Sequence, residues 1–158
     1  MIRLAIADDL DAIAALHREA RATYYRDRLP EDEYDGAEEL ARSRAAWGSA
    51  VAEGRVLCAV RDGVIAGVAA SGVRDGVMQL SQLHVAPALW RRGVGSELHR
   101  ACVDAWREGG VTDVRLDVYE HNTRAQAFYA ARGWEPDPDV PRGSTHLVLR
   151  LTLAPSAE

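Results

Sequence analysis

The sequence predicts an α+β fold, a mostly antiparallel sheet flanked by helices with one β-α-β crossover. Three observations predict it. Two Asp-Gly dipeptides, Asp62-Gly63 and Asp75-Gly76, each join runs rich in β-branched residues, and Asp-Gly supplies the positive φ angles of a tight hairpin. Apolar residues recur at helical spacing near the start of the chain and again after residue 93. From Val77 to Tyr119 a strand, a glycine-bearing turn, a helix and a second strand follow one another, which is the order of a crossover.

Residues 2 to 6 read as a short strand, after which Asp8 or Asp9 can accept from the free amides that open a helix. Leu10, Ile13, Leu16 and Ala20 give that helix its apolar stripe. From Arg21 to about Leu40 the pattern weakens, Pro30 interrupts it, and Tyr24, Tyr25 and Tyr34 stand among charged residues. A second helix is expected over Glu38 to Ala52, closed by Gly54 in the left-handed conformation. Val56 to Val60, Val64 to Ala69 and Val77 to Val85 then form an antiparallel meander that Pro87 stops. Val94, Leu98, Ala101, Cys102 and Ala105 set the next helix, ending before Gly109-Gly110. Asp113 to Tyr119 is a strand, Thr123 to Arg132 a helix stopped by Gly133, and Ser144 to Leu153 a last strand.

A length of 158 residues, 47% of them hydrophobic, suits one core, so residues 1 to 153 are expected to form a single domain with a disordered tail at 154 to 158. The formal charge of -5 counts against a nucleic-acid partner, which is held by neutralising phosphates. Cys58 and Cys102 form no CxxC pair and lie near no histidine cluster, so no metal is expected. With no long apolar run at the start or elsewhere, neither a signal peptide nor a membrane association is expected, and the location implied is cytoplasmic.

The chemistry-bearing segment runs from Leu83-His84-Val85 through Trp90-Arg91-Arg92-Gly93-Val94-Gly95-Ser96. Here a strand passes through a basic, glycine-bearing turn into a helix. A helix start offers unpaired amides and the positive end of the helix dipole, a seat for an anion. Gly93 and Gly95 lack the Cβ that would hold phosphate oxygens off the backbone, and Arg91 and Arg92 add charge at the same mouth. A diphosphate suits the site. The Walker spacing and the GxGxxG pattern are both absent from it.

This loop resembles the acyl-CoA signature [QR]-x-x-G-x-[GA] of the GNAT N-acyltransferase superfamily, with Trp90 in place of the expected Gln or Arg. A second signature of the same family, N-x-x-A-x-x-F-Y-x-x-x-G-[FW], is matched ungapped from Asn122 to Trp134. The resemblance covers roughly residues 2 to 153 and is weakest over 21 to 50. It implies a GNAT-like sheet and an acetyl-CoA, or other short acyl-CoA, cosubstrate. Leu83, His84 and Val85 would pair with the pantetheine arm, Arg91, Arg92, Gly93, Val94, Gly95 and Ser96 would hold the pyrophosphate, and Asn122, Ala125 and Tyr129 would touch the cofactor. Tyr129 would protonate the departing thiolate; core packing beside Phe128 is its structural alternative, as helix capping is for Asn122.

The reaction implied is direct attack of an amine on the acyl carbonyl. Relatives often carry a glutamate where this chain has Gln79, and a carboxamide is no base. Asp117 is the first candidate to take the amine's proton and His84 the second, whose ordinary pKa near 6.5 suits proton transfer. A surface ion pair is the alternative for Asp117. Tyr24, Tyr25 and Tyr34 among Glu31, Asp32, Glu33, Asp35, Glu38 and Glu39, together with Gln79, mark the expected acceptor region, although such an acidic run also reads as a solvated helix face. The expected acceptor is a small-molecule amine. The rival functions are acetylation of a protein or peptide and a catalytically silent acyl-CoA-binding module. A homodimer is compatible with the resemblance, but no residue sets its interface.

Overall fold

The computed structural model describes residues 1–140 and 145–154. Its strands are β1 (Ile2–Leu4), β2 (Val56–Arg61), β3 (Val64–Arg74), β4 (Val77–Val85), β5 (Asp113–Tyr119), β6 (Glu135–Pro136) and β7 (His146–Thr152). The helices are α1 (Leu10–Tyr25), α2 (Glu31–Asp35), α3 (Ala37–Ala52), α4 (Val94–Glu108) and α5 (Thr123–Ala130). The strands form one sheet in the order β1-β2-β3-β4-β5-β7-β6. Most of its pairs are antiparallel. β4 and β5 are parallel, with Met78 opposite Val114 and Gln79 opposite Arg115, as the crossover through α4 requires. Ser144 and the tail beyond Ala154 lie outside the described residues.

Two compact units divide the chain: residues 1–70 with 82–102, and residues 71–81 with the described part of 103–158. In the first, α1 and α3 lay apolar side chains on β2 and β3. Ile13, Leu16, Trp47, Val56, Cys58 and Val68 form its core, with Leu10 packed against them. Asp62 and Gly63 both have positive φ (53° and 75°), the geometry in which an Asp-Gly pair closes a hairpin with the twist of its strands. Gly67 is required by proximity. A Cβ there would lie 2.7 Å from Leu98 Cδ1 and 2.9 Å from Val94 Cγ1, so its absence lets α4 seat on β3.

The opening of α1 differs from the expectation. A 3₁₀ turn, Ala7–Asp9, precedes it, and Asp9 reaches back to accept from the Ile6 amide at 2.8 Å while its two oxygens take Arg3 at 2.7 and 2.9 Å. Asp9 thus fastens the entry to the helix and does not cap α1 itself. Between α1 and α3 the chain makes the extra helix α2, which the weak pattern around Pro30 concealed.

In the second unit β5, β7 and β6 form an antiparallel ladder from Asp113 opposite Thr152 to Tyr119 opposite His146. Val114, Leu116 and Val118 point inward on β5 with the period of two that a one-sided core demands. Trp134 packs edge-on against Trp106 and Tyr129, at centroid separations of 6.5 and 5.6 Å. α5 ends two residues earlier than its apolar spacing suggests, and Gly133, at φ 91°, turns the chain into β6.

Candidate active site

The glycine loop begins where β4 ends. The Ala86 amide bonds to Ala66 on β3, and Pro87–Leu89 makes one 3₁₀ turn. The Trp90 indole N–H then donates to the Val85 carbonyl at 3.0 Å, which gives Trp90 a structural use in pinning the loop to the end of its strand. Arg91 (φ 63°) and Gly93 (φ 82°) adopt the left-handed conformation on either side of Arg92. Such a reversal turns successive amides to one side, a concavity suited to an anion. The first bond of the α4 ladder runs from the Glu97 amide to the Gly93 carbonyl, so the amides ahead of Glu97 stand at the positive end of the helix. Nothing lies within 4 Å of where a Gly93 Cβ would be, so this glycine serves the backbone conformation and leaves the concavity open.

Charge around the loop favours an anion. Arg91 and Arg92 are exposed and make no ion pair among the described residues. Glu97, the acid in the first turn of α4, is turned to Arg61 at 2.8 Å, and that contact holds its carboxyl below the usual glutamate range.

The expected acceptor residues of the first unit also come together. Tyr24 lies 4.5 Å from Tyr25, and Tyr25 lies 5.9 Å from Tyr34, ring centroid to ring centroid. Much of the acidic run, however, is spent on arginines. Asp35 takes Arg18 at 2.7 and 3.0 Å, and Glu39 takes both Arg21 and Arg42. Glu31, Asp32 and Glu33 are exposed. This is the geometry of a braced, solvated helix face.

Sequence reasoning missed what lies beneath it. Arg21 is buried, donates to the Tyr34 carbonyl at 2.7 Å and to Glu39 at 3.1 Å, and keeps a buried Nε–H with no acceptor. His17, one turn earlier, is buried as well; its Nδ1 accepts the Trp47 indole N–H at 2.9 Å and lies 3.1 Å from Ser43 Oγ. The His84 ring sits 4.6 Å from the His17 ring, and its Nε2 donates to the Gln82 side-chain oxygen at 2.6 Å. Burial pushes His17 down to about 4, with Arg21 adding to the effect. Burial also holds His84 well below the ordinary histidine range, aided by His17 and Arg21. The available signal was the placement of His17 and Arg21, four and eight residues after Ile13 and so on the apolar face of α1.

The second unit holds the remaining candidates. Gln79 stands on β4 opposite Arg115. Asp117 is exposed on β5, 3.9 Å from the exposed Arg74, the setting of a surface ion pair. Asn122 caps α5, its Oδ1 accepting the Ala125 amide at 3.2 Å. Tyr129 is buried, its ring 5.3 Å from that of Phe128 and 5.6 Å from that of Trp134. Cys58 and Cys102 are buried, their thiols pushed up by burial to about 11 and about 12.

A strand that runs through a left-handed, glycine-bearing turn into a crossover helix, within a mixed sheet of this order, defines an α+β architecture. Residues 13–134 match the model of the Acetyltransferase (GNAT) family, and the chain belongs to that family. An uncharacterized N-acetyltransferase in the pepI 3′ region of Lactobacillus delbrueckii subsp. lactis is 27% identical over 135 residues, covering 79% of this chain and 78% of that protein. The PaiA N-acetyltransferase of Thermoplasma acidophilum, solved in complex with coenzyme A, superposes with a TM-score of 0.86 at 17% identity, over 97% of this chain and 98% of that one. The ribosomal-protein-S18-alanine N-acetyltransferase of Escherichia coli gives 0.74 at 20% identity, over 100% and 96%. At these identities the two structures show the shared fold. Among the described residues no helix is long and apolar enough to cross a membrane, and no cluster of three or more His, Cys, Asp or Glu is placed to hold a metal ion.

Proposed function

We propose that this protein, with residues 1–153 working as one domain, transfers an acetyl group from acetyl-CoA to the primary amine of a small molecule in the cytoplasm. The observation that carries the reading is the loop at the start of α4. Two left-handed residues, Arg91 and Gly93, bracket a turn of amides beside two exposed arginines that make no ion pair among the described residues. A pyrophosphate matches that arrangement in charge and in the backbone donors it needs. The coenzyme A in the Thermoplasma relative, on the same fold, supports it.

On this reading Leu83, His84 and Val85 present backbone groups to the pantetheine arm, and residues 91 to 96 hold the pyrophosphate. Asn122 and Ala125, at the start of α5, line the cofactor. The amine attacks the thioester carbonyl directly, and neither cysteine takes part, since a thiol held near 11 or 12 is scarcely ionised at neutral pH. Tyr129 is assigned the proton given to the thiolate, a role in which a positioned acid typically contributes about 10²–10⁴-fold. The exposed place of Asp117 beside Arg74 weighs against it as the base. The test is thiol release from acetyl-CoA across a panel of small amines and peptides. Turnover of a free amine supports the reading, turnover of peptides alone would move the acceptor to a protein, and tight binding without any turnover would leave a silent binding module.

A further inference from the structure

The residues around His84 determine what kind of amine can stand there. An indole N–H only donates, so the Trp47 bond at 2.9 Å makes His17 Nδ1 an acceptor and leaves the proton of His17 on Nε2. A carboxamide oxygen only accepts, so the Gln82 contact at 2.6 Å keeps the proton of His84 on Nε2 and leaves its Nδ1 as a bare lone pair. That lone pair has no hydrogen-bond partner among the described residues. Protonating His17 would set two N–H groups against each other at the Trp47 contact.

The charges facing this pair come from each helix that surrounds it. α1 contributes Arg21, whose side chain is 10% exposed and whose Nε–H is unpartnered. α2 contributes the Tyr34 carbonyl and Asp35, whose carboxyl is held below its usual range by the Arg18 bonds at 2.7 and 3.0 Å, with a further pull from Arg21. α3 contributes Glu39, shared between Arg21 and Arg42, and Glu38, which lies 3.5 Å from Arg42. Each of these carboxylates is held by an arginine, Arg21 is the charge that bears on the two rings, and both imidazoles are neutral. An ammonium ion finds no free carboxylate there. A neutral amine finds a lone pair that can accept one of its N–H bonds.

Resting on the acetyltransferase reading above, we propose that the acceptor amine binds unprotonated against His84 Nδ1, so that the protein selects weakly basic primary amines over alkylammonium ions. The surroundings thereby do part of the work for which relatives use a glutamate at the place of Gln79. As the N–C bond forms and the C–S bond breaks, the proton leaving nitrogen passes to His84 Nδ1 and on to solvent. The thiolate takes one proton from the Tyr129 hydroxyl, which solvent restores, so one proton is moved from nitrogen to sulfur overall.

The test measures kcat and KM separately for aniline, glycinamide and benzylamine, three small amines of rising basicity, from pH 6 to pH 8. The expected result is that KM for total benzylamine falls about tenfold per pH unit, following its free base, while kcat stays level. The pH at which KM stops falling should move with the amine. A benzylamine KM that is constant while kcat rises would mean that the ammonium ion binds, and would overturn the proposal. A break at one pH for all three amines would overturn it in favour of a titrating group on the protein. If acetyl-CoA binds but none of the three is acetylated, the acceptor assignment is wrong and the cofactor assignment stands. If acetyl-CoA does not bind, the parent reading falls and takes this one with it. Independently of turnover, imidazole ¹⁵N shifts should report both histidines neutral, with the proton on Nε2, down to pH 5; titration near pH 6.5 would contradict it.

Discussion

Two regions of the first unit use arginine in opposite ways. At the loop before α4, Arg91 and Arg92 are exposed and make no ion pair among the described residues, the backbone from Arg91 to Gly93 is turned to offer amides, and the nearby acid is held by Arg61. On the helical face of α1 to α3, Arg18, Arg21 and Arg42 are each tied to Asp35 or Glu39, and beneath them two histidines are held neutral. Exposed charge at the loop is available to a charged ligand and costs little desolvation when that ligand arrives. Paired charge on the helices, with Arg21 buried beneath it, shapes the local field, and an unpartnered ion that leaves water there loses its hydration. The first region is built to receive an anion. On the reading proposed above, the second disfavours a cation.

The largest expected effect belongs to the second region. Because the folded protein holds His17 neutral to about pH 4, the unfolded chain binds its proton first as the medium acidifies. The His17 contribution is therefore full above pH 6.5 and is lost as the pH falls to about 4. Each pKa unit is worth about 1.4 kcal/mol, so the loss amounts to about 3 kcal/mol in urea unfolding. In His17→Gln this part of the pH slope should vanish. If the slope is unchanged, the imidazole is not held neutral and the contrast between the two regions weakens.

Gly67 underlies both regions, since a Cβ there would meet α4 side chains and approach the His84 carbonyl to 3.1 Å. Gly67→Ala should cost about 1–3 kcal/mol by overpacking, read from the urea midpoint. Arg91→Ala and Arg92→Ala should each weaken acetyl-CoA binding by about 0.5–1 kcal/mol, with a flatter salt dependence. Arg18→Ala, on the helical face, should leave that affinity unchanged in calorimetry. The smallest effect is none: Cys58 and Cys102 in the native protein should not react with a disulfide reagent at pH 8 over the time in which the urea-unfolded chain reacts fully.

Local rules carried the loop and the sheet. Asp62-Gly63 and Asp75-Gly76 need no distant partner to turn, and Gly93 before a run of helical spacing marks the start of α4 on its own. The helical face depended on distant pairing. The Trp47 bond to His17 spans 30 residues and the Arg21 bond to Glu39 spans 18, so neither shows in any window of the chain. The two-residue strand β6 was hidden for a related reason: it exists through Glu135 and Pro136 pairing with Arg150 and Leu149, and a segment ending in proline carries no strand signal of its own. The sequence offers Asp8 or Asp9 as the cap of the first helix; Asp9 instead pairs with Arg3 and accepts from the preceding Ile6 amide, a contact that local helix rules do not show.

The central claim is that the loop from Trp90 to Ser96 holds the pyrophosphate of acetyl-CoA. Calorimetric titration of the purified protein with acetyl-CoA, repeated with Gly93→Asp and Gly95→Asp, tests it most directly, with Gly93→Ala as a control for backbone strain at φ 82°. The account predicts micromolar binding to the wild type and a loss of about tenfold or more, roughly 1.4 kcal/mol, in both aspartate variants beyond that of the alanine control. A wild-type protein that does not bind acetyl-CoA, or aspartate variants that bind as well as it does, would contradict the account.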